Sequence, residues 1–363
     1  MNNKIRVGVL FGGRSCEHEV SVKSARAIVA AIDPDKYDIT LVGISKTGHW
    51  LTSSDASKML AADVVEGEEL LPSSLEYSGS GQLAVGVGQT QAIDVIFPVL
   101  HGPYGEDGTV QGLLELSGLP YVGSGVAGSA VGMDKEMMRR VFRAENLPQV
   151  DYITVRRSKW KEREATVRAD IESRFAYPFF IKPVNMGSSV GVSKVHDGKE
   201  LSIAMEKAAS YDTKIMVEAA ALDCREVEAA VLGNVPLEAA DALGEIVPGH
   251  EFYDYEAKYS DNTTELIIPA RVSPETAARV QDIAVRACEA VGAYGLARVD
   301  FFVGKENEEI YLNEINTMPG FTPVSMYPQL WKASGLSYSR LIDRLIQLAL
   351  EHHRDKMDIC TVL

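Results

Sequence analysis

Two carboxylates and one carboxamide are spaced to converge within residues 297–316, which read ARVDFFVGKENEEIYLNEIN. The apolar residues of this segment predict two strands joined by a turn. If Asp300 faces Glu314 across the strand pair, then Val303 faces Tyr311. Directly opposed residues of an antiparallel pair point to the same face of the sheet, so the two acidic side chains would meet.

Asn316 joins these two acids because it lies two residues after Glu314 and therefore on the same face of the strand. Buried acids need partners or a metal. Mg²⁺ prefers oxygen ligands and often uses one or two carboxylates together with substrate phosphates. The alternative is a solvated hairpin with scattered acids, but Val299, Phe301 and Ile315 mark a buried strand pair and favour a magnesium site.

A glycine- and serine-rich turn, GSSVG at residues 187–191, follows a short apolar strand that ends at Lys182. Glycines let backbone N–H groups approach a phosphate closely, and serine hydroxyls add further donors. A lysine at the strand end supplies a point charge. The pattern GxxxxGK[ST] is absent, which excludes a Walker loop. On the residues alone, a phosphate cradle and an ordinary glycine hairpin are equally open.

An aromatic and charged stretch, HEFYDYEAKYSDN at residues 250–262, has no clean periodicity. Long loops are often functional, and an active-site lid would point Lys258 and Tyr259 inward. A surface loop with exposed tyrosines explains the same residues, and the residues alone favour that interpretation slightly.

Two further turns follow apolar strands near the N-terminus. FGGRSCEHEVS at residues 11–21 lacks GxGxxG and places Glu17 near a helix N-terminus, where a carboxylate would repel a phosphate. Glu17 could hold an ammonium group, although a favourable charge on the helix dipole is the more common role. HGPYGEDG at residues 101–108 lies where parallel sheets gather ligands, so His101 is either a pocket donor or a turn residue.

The elements that position these motifs fall into two patterns. In the first part of the chain, apolar strands alternate with helices, which predicts a parallel sheet covered on both faces. These elements are strands at 5–11, 37–44 and 93–100 and helices at 17–31 and 109–117, with a surface excursion, partly helical, over 52–90. Further along, strand pairs joined by glycine-rich turns predict α+β domains. Those elements are strands at 179–182, 192–195, 215–218, 226–232, 237–246, 298–303 and 309–315 and helices at 134–145, 273–291 and 336–353.

The composition excludes several classes of function. The 363 residues include 36 Lys and Arg against 51 Asp and Glu, a formal net charge of −15, so a nucleic-acid partner is not expected. The four cysteines form no CxxC pair, which argues against a zinc cluster and fits a reducing cytosol. No apolar stretch approaches the roughly 18 residues that span a bilayer. We expect a cytoplasmic protein of roughly two to three domains that binds neither nucleic acid nor membrane.

Taken together and in this order, the motifs resemble those of the D-alanine–D-alanine ligase family in the ATP-grasp superfamily. The matching stretches are FGGRSCEHEVS, HGPYGEDG, MDK (133–135), KPVNMGSSVG (182–191), FYDYEAKY (252–259), RVD (298–300) and NEINTMPGFTPVS (313–325). The resemblance implies a three-domain ATP-grasp fold, α/β and then α+β. Its parts would be an N-terminal substrate domain with a parallel sheet over 1–123, a central ATP-grasp subdomain over 124–217 and a C-terminal ATP-grasp subdomain over 218–363.

The reaction implied by this resemblance joins two D-alanines at the expense of ATP, through a D-alanyl phosphate, for peptidoglycan precursor synthesis. The resemblance also implies two Mg²⁺ ions, which Mn²⁺ can replace, and a homodimer. One alternative is a related ligase that takes D-serine or D-lactate second, although Tyr259 in AKY speaks against D-lactate. Another is a different ATP-grasp carboxylate–amine ligase, which would lack the FYDYEAKY stretch. A nucleotide sensor without turnover would have lost a metal ligand or Arg298, and both are present.

The resemblance assigns nucleotide and metal contacts to residues of the central and C-terminal parts. The nucleotide contacts are Lys135 and Lys182 for the phosphates, Glu218, Ala220 and Ala221 for the adenine, and Glu226 for the ribose. The ligands of the two metal ions are Asp300, Glu314 and Asn316.

The resemblance assigns the amino-acid substrates to a second set of residues. Glu17 would hold the ammonium of the first D-alanine and share a hydrogen-bonded triad with Ser188 and Tyr259. Arg298 and the backbone N–H of Gly320 would stabilise the tetrahedral oxyanion. Ser325 and Lys258 would bind the carboxylate of the second D-alanine. His101 would line the substrate pocket.

Overall fold

The computed structural model describes residues 4–51, 53–61, 93–248 and 264–359, together with the backbone of three short strands between residues 75 and 91. Among the described residues, no helix combines the length and the apolar character needed to cross a membrane. The predicted lid at 250–262 lies outside the described residues.

The first part of the chain forms a parallel three-stranded sheet with strand order β2-β1-β6. Its side chains alternate between two apolar clusters, with Val7 and Val9 on one face and Leu10 and Ile96 on the other. This explains why the strands are apolar throughout. The elements are β1 (Ile5–Gly12), α1 (His18–Ala31), β2 (Tyr37–Ile44), α2 (Ser53–Ala61), β3 (Leu75–Ser78), β4 (Gln82–Val85), β5 (Thr90–Gln91), β6 (Val95–Val99), α3 (Thr109–Leu116) and α4 (Val126–Met133).

The small strands β3, β4 and β5 pair with one another as a separate sheet. The predicted excursion at 52–90 therefore contains a helix, as expected, and also these strands.

The central part is an antiparallel sheet with strand order β7-β10-β8-β9. Phe179, Ile181 and Val217 face an apolar cluster that includes the covering helices. Because neighbours alternate along a strand, Lys182 and Glu218 point away from that cluster. The elements are α5 (Lys135–Ala144), β7 (Tyr152–Arg156), α6 (Arg157–Glu162), α7 (Glu164–Arg174), β8 (Phe179–Pro183), β9 (Ser193–Val195), α8 (Gly198–Tyr211) and β10 (Lys214–Ala219).

The last part contains a sheet with strand order β14-β13-β11-β15-β16 and a long helix packed on one face. The elements are β11 (Cys224–Gly233), β12 (Glu238–Ala239), β13 (Gly244–Val247), β14 (Glu265–Ile267), α9 (Pro274–Val291), β15 (Gly295–Gly304), β16 (Ile310–Asn316), α10 (Met326–Ala333) and α11 (Tyr338–Met357). Helix α9 starts where the Ser273 side chain accepts from the Thr276 N–H, and it ends at Gly292 in the left-handed region, as its sequence predicts.

The strand predicted at 237–246 is not continuous, since the structure divides it into two short strands. The segment pairs with β11 at Glu238 and Ala239, leaves the sheet over residues 240–243, and pairs with β11 again from Gly244 in β13. A Cβ at Gly244 would lie 2.2 Å from the Met326 sulfur, so this close approach requires glycine. The start of β13 therefore packs closely against α10, which local periodicity cannot reveal.

The last helix returns to the first sheet. Leu341 and Leu345 of α11 share an apolar cluster with Phe97 of β6, and Asp343 accepts a hydrogen bond of 2.5 Å from the Tyr37 hydroxyl. The predicted boundary between residues 217 and 218 falls within β10. The division into three domains stays a prediction, since the C-terminal helix belongs to the packing of the N-terminal sheet.

Candidate active site

A β-bulge sets the register of the hairpin formed by β15 and β16. Asp300 pairs with Glu314, as predicted from the sequence. The register shifts immediately after Asp300, so that Val303 pairs with Ile310. The predicted pairing of Val303 with Tyr311 is therefore wrong by one residue.

The bulge places two consecutive polar side chains on the same side of β16. Leu312 and Ile315, three residues apart, both enter the apolar cluster beneath α9. An ordinary strand would bury residues two apart. The extra residue lets Asn313 and Glu314 both face the cleft described below, as bulges beside functional sites commonly do.

Arg298 forms a two-point ion pair with Asp300. Its Nε lies 2.7 Å from Oδ1, and its Nη2 lies 2.7 Å from Oδ2. The same Nε is 3.0 Å from Glu228 Oε2, and Asn316 Nδ2 donates to Asp300 Oδ2 at 3.0 Å. Burial alone would lower the pKa of the Arg298 guanidinium, but the two carboxylates outweigh burial and raise it. Arg298 therefore stays charged.

Lys135 connects the glycine-rich turn with the bulge. It is the first residue of α5, which begins where the Asp134 side chain accepts from the Met137 N–H. The Lys135 ammonium donates to the Met186 carbonyl at 2.9 Å and lies 3.2 Å from Glu314 Oε2. The Lys135 ammonium therefore contacts both the segment before the glycine-rich turn and the strand that carries Glu314.

Lys182 and Glu218 form a buried ion pair on adjacent strands, with 2.6 Å between Nζ and Oε1. Burial lowers the pKa of Lys182, and the charge of Glu218 offsets only part of that effect. Burial would raise the pKa of Glu218, but Lys182 and Arg139 outweigh burial and lower it. The carboxylate therefore stays ionised between two cations.

Glu17 and Ser188 meet although they lie far apart in the chain: Glu17 lies between β1 and α1, and Ser188 lies in the turn between β8 and β9. The Ser188 hydroxyl donates to Glu17 Oε1, whereas Glu17 makes no side-chain capping bond to α1. Ser188 and Ser189 have positive φ angles of 48° and 56°, which turns the loop sharply. A Cβ at Gly102 or Gly187 would lie 2.8 Å from Glu17 Oε2. Both positions therefore need glycine to accommodate the carboxylate.

His101 is buried and linked to the loop after β16. Its Nδ1 lies 2.9 Å from the Met318 carbonyl oxygen, which can only accept, so Nδ1 carries the proton. Burial lowers the pKa of His101, which keeps the ring neutral near pH 7. The other nitrogen, Nε2, has no hydrogen-bond partner among the described residues and can accept a hydrogen bond from a ligand.

Ser325 precedes α10 and holds the same loop. Its hydroxyl accepts from the Thr322 N–H at 3.0 Å and lies 2.8 Å from the Thr322 hydroxyl. A Cβ at Gly320 would lie 3.4 Å from Ser325 Oγ, so these two residues are neighbours. A helix N-terminus offers free N–H groups and favours a negative charge.

A cleft of about 560 Å³ separates the central and C-terminal sheets. The predicted site residues that line it are Lys135, Lys182, Ser188, Glu218, Ala220, Ala221, Glu226, Asp300 and Glu314. The contacts described above join Glu17, Arg298 and Asn316 directly to this lining. Lys258 and Tyr259 lie outside the described residues.

Several residues of the site were not predicted from the sequence. Arg139 contacts Glu218, and Glu228 contacts Arg298. Glu106 accepts from the Gly102 N–H at 2.8 Å, and its pKa is raised to about 8 by burial and by Glu17. Glu228 follows Glu226 by two residues, a spacing that predicts a shared face on a strand, and this signal could have identified it.

The donors at the bulge fit Mg²⁺. Asp300 and Glu314 are directly opposed, and Asn316 adds an amide group beside Asp300. Among the described residues, no three His, Cys, Asp or Glu side chains form a complete metal-binding cluster. Two carboxylates in the cleft that Lys135 and Lys182 also line agree with the preference of Mg²⁺ for a few protein oxygens completed by substrate phosphates.

Comparison with known proteins identifies a family that matches most of the chain. The chain matches the family model described as D-ala D-ala ligase N-terminus over residues 6–124 and the one described as D-ala D-ala ligase C-terminus over residues 141–347. It is 48% identical to a D-alanine–D-alanine ligase of Geobacillus kaustophilus, and the match covers 98% of this chain and 97% of the relative.

Two solved structures share the fold. The D-alanine–D-alanine ligase of Coxiella burnetii superposes with a TM-score of 0.82 at 36% identity, covering 98% of this chain and 96% of the other. The VanG D-Ala:D-Ser ligase of Enterococcus faecalis gives the same TM-score and identity, covering 96% of this chain and 100% of the other. These likenesses confirm the predicted fold class. The chain belongs to the D-alanine–D-alanine ligase family.

Proposed function

We propose that this protein joins two D-alanines into D-alanyl-D-alanine and converts ATP to ADP and phosphate. Such a product serves peptidoglycan precursor synthesis. The observation that carries the proposal is the cleft in which Lys135 and Lys182 face the carboxylates of Asp300 and Glu314. Family membership over the whole chain supports the same reaction.

In the first step, a carboxylate oxygen of the first D-alanine attacks the γ-phosphorus of ATP. A new O–P bond forms, the bond to the β-phosphate oxygen breaks, and ADP leaves. Lys135 and Lys182 offset phosphate charge, because charge compensation and positioning dominate phosphoryl transfer. Ala220, Ala221 and the backbone at Glu218 lie on the cleft wall, where we place the adenine.

Glu226 lines the same cleft, and we assign the ribose to its carboxylate. Asp300, Glu314 and Asn316 would hold two Mg²⁺ ions, with Mn²⁺ able to replace them. When bound, these cations neutralise phosphate charge and orient the oxygens that react.

Glu17 would hold the ammonium of the first D-alanine. Ser188 fixes the carboxylate through its hydrogen bond, and Tyr259 would complete a triad when the lid closes. We place His101 at the same substrate pocket, where its Nε2, which has no hydrogen-bond partner among the described residues, could accept a hydrogen bond. A closed lid would exclude water from the acyl phosphate, which is sensitive to hydrolysis.

In the second step, the amine of the second D-alanine attacks the carbonyl carbon of the acyl phosphate. A C–N bond forms and phosphate leaves. Arg298 and the Gly320 N–H would stabilise the oxyanion, since preorganised donors act where charge develops. Ser325, at the N-terminus of α10, would bind the second carboxylate together with Lys258.

We propose a cytoplasmic homodimer without nucleic-acid or membrane partners. The formal net charge of −15 supports the absence of a nucleic-acid partner.

Phosphate release in the presence of ATP, Mg²⁺ and D-alanine tests the function. We expect turnover with D-alanine and background release with L-alanine. Parallel reactions with D-serine or D-lactate as the second substrate test the alternatives, since the D-Ala:D-Ser ligase is an equally close structural neighbour. Release with a mixture of D-alanine and D-serine but not with D-alanine alone would favour the second candidate. No release with any of these amino acids would refute the proposal.

A further inference from the structure

Arg139 is the most deeply buried cation beside the cleft, at 1% exposure. It lies one turn after Lys135 on α5, so both side chains leave the same face of the helix. Lys135 reaches Glu314. Arg139 reaches behind the cleft wall to the strands that carry Glu218 and Glu314.

The guanidinium of Arg139 holds the bulge of β16. Its Nη1 donates to the Leu312 carbonyl at 2.9 Å, and its Nη2 lies 3.3 Å from Asn313 Oδ1. These two residues immediately precede Glu314. A bulge interrupts the hydrogen-bond ladder, so donors from another element are needed to fix its backbone and the direction of the side chain that follows.

The same guanidinium shares the carboxylate of Glu218 with Lys182. Arg139 Nη2 lies 3.0 Å from Oε2, and Lys182 Nζ lies 2.6 Å from Oε1. The cluster thus contains two cations and one carboxylate, which leaves a positive charge for an anion in the cleft. Without Arg139, Lys182 and Glu218 would neutralise each other, and a phosphate would have to compete with Glu218 for the lysine.

We propose that Arg139 is a positioning residue of the nucleotide site: it shares Glu218 so that Lys182 remains available to phosphate, and it fixes the bulge that aims Glu314. It need not touch substrate. This inference rests on the proposed placement of ATP in the cleft, and Arg139 itself lies outside the stretches that resemble the family motifs.

Isothermal titration calorimetry of ADP and adenosine without metal tests whether Arg139 keeps Lys182 available to phosphate. Arg139→Met keeps the length of the side chain and removes its charge. We expect it to weaken ADP binding about tenfold or more, because hydrogen bonds to charged groups are the strong ones. Adenosine, which carries no phosphate, should change by less than about twofold. Arg140→Met is the matched control, since the Arg140 side chain is 64% exposed and pairs with Glu136.

The Arg139→Lys variant tests whether Arg139 fixes the bulge that aims Glu314. A lysine keeps the charge but cannot donate to Leu312, Asn313 and Glu218 at once. We expect ADP affinity without metal to return to within about threefold of the parent, while the Mg²⁺ concentration for half-maximal turnover rises about tenfold. If Arg139→Met does not unfold cooperatively, the Arg139→Lys variant alone decides whether the inference holds.

Several outcomes would overturn the inference. They are equal losses for ADP and adenosine, unchanged ADP binding in Arg139→Met, the same loss in Arg140→Met, or a parent-like Mg²⁺ dependence in Arg139→Lys. A parent protein that binds no ADP would instead contradict the proposed function, so the two failures are distinguishable.

Discussion

Replacement of Glu314 by glutamine separates the metal role of this residue from its contribution to the fold. The side chain keeps its size and loses one negative charge. Its ion pair with Lys135 spans 3.2 Å between side chains that are 21% and 12% exposed, so its loss should cost about 1 kcal/mol. A change of that size lowers the melting temperature by less than about 4 °C in a chain of this length. Loss of one charged contact to the transition state should lower turnover on the order of 10²–10³-fold.

The assay is phosphate release across a Mg²⁺ titration, with thermal unfolding measured on the same samples. Glu309→Gln is the matched control, because Glu309 lies in the same hairpin and is exposed. It should leave both turnover and melting temperature unchanged. Turnover of Glu314→Gln equal to that of the parent, at limiting and at saturating Mg²⁺, would refute the metal assignment. A melting temperature lowered far beyond the estimate would show that the charge mainly supports the fold.

Three other changes test separate parts of the structure. Arg298→Ala should lower turnover on the order of 10²–10³-fold and reduce the free energy of unfolding by about 3–5 kcal/mol, because buried carboxylates lose their partner; parent-like phosphate release would contradict the oxyanion role. Gly12→Ala should destabilise the fold by about 2 kcal/mol or more, since its Cβ would lie 2.1 Å from the Ile44 carbonyl oxygen at φ +93°; an unchanged urea midpoint would argue against this strain. Glu106 has its pKa raised from 4.5 to about 8 by burial and by Glu17, so the folded state holds this proton more tightly and loses stability as pH rises from the lower value through the higher one. Glu106→Gln cannot ionise, so urea unfolding compared between about pH 5 and about pH 8 should show a shallower loss of stability than in the parent; an identical slope would contradict the shifted titration.

The pairing of Asp300 with Glu314, assumed in the sequence argument, is confirmed, because alternation of apolar and polar residues decides which face of a strand is buried. The sequence was not sufficient for the rest of the register. The pairing rule assumes a regular ladder, and a bulge adds one residue to one strand only. A signal was nevertheless present. Leu312 and Ile315 are both apolar and three apart, a spacing that a regular half-buried strand does not use.

Helix α4 was missed for a different reason. Its sequence, VAGSAVGM, is apolar or small on every side, so it has no polar face and no period to detect. A Cβ at Gly128 would lie 2.5 Å from the Gly292 carbonyl oxygen, and one at Gly132 would lie 2.9 Å from Thr317. These glycines, which weaken a helix prediction, permit close packing against distant segments. Only the tertiary structure supplies that information.

Arg139 was overlooked because its importance depends on contacts more than 70 residues away in the chain. Glu218 lies 79 positions from it and Leu312 lies 173 positions from it. From the sequence, an arginine one turn into a helix is usually a solvated side chain. The resemblance to a family pointed to the residues that its motifs contain, and Arg139 lies just beyond MDK.

Each cation described at the site contacts a carboxylate: Lys135 contacts Glu314, Lys182 and Arg139 share Glu218, and Arg298 contacts Asp300. Bare buried charges would be costly, so these pairs keep the cleft stable in the absence of ligand. A nucleotide that enters with its cations brings both signs of charge. Under the proposed function, the lysines would exchange a carboxylate for a phosphate while the acids turn to the cations, so that no side chain would be left without a counter-charge. Because its buried ion pairs would exchange partners in this way, the cleft would be stable without ligand and would still present strong charges during the reaction.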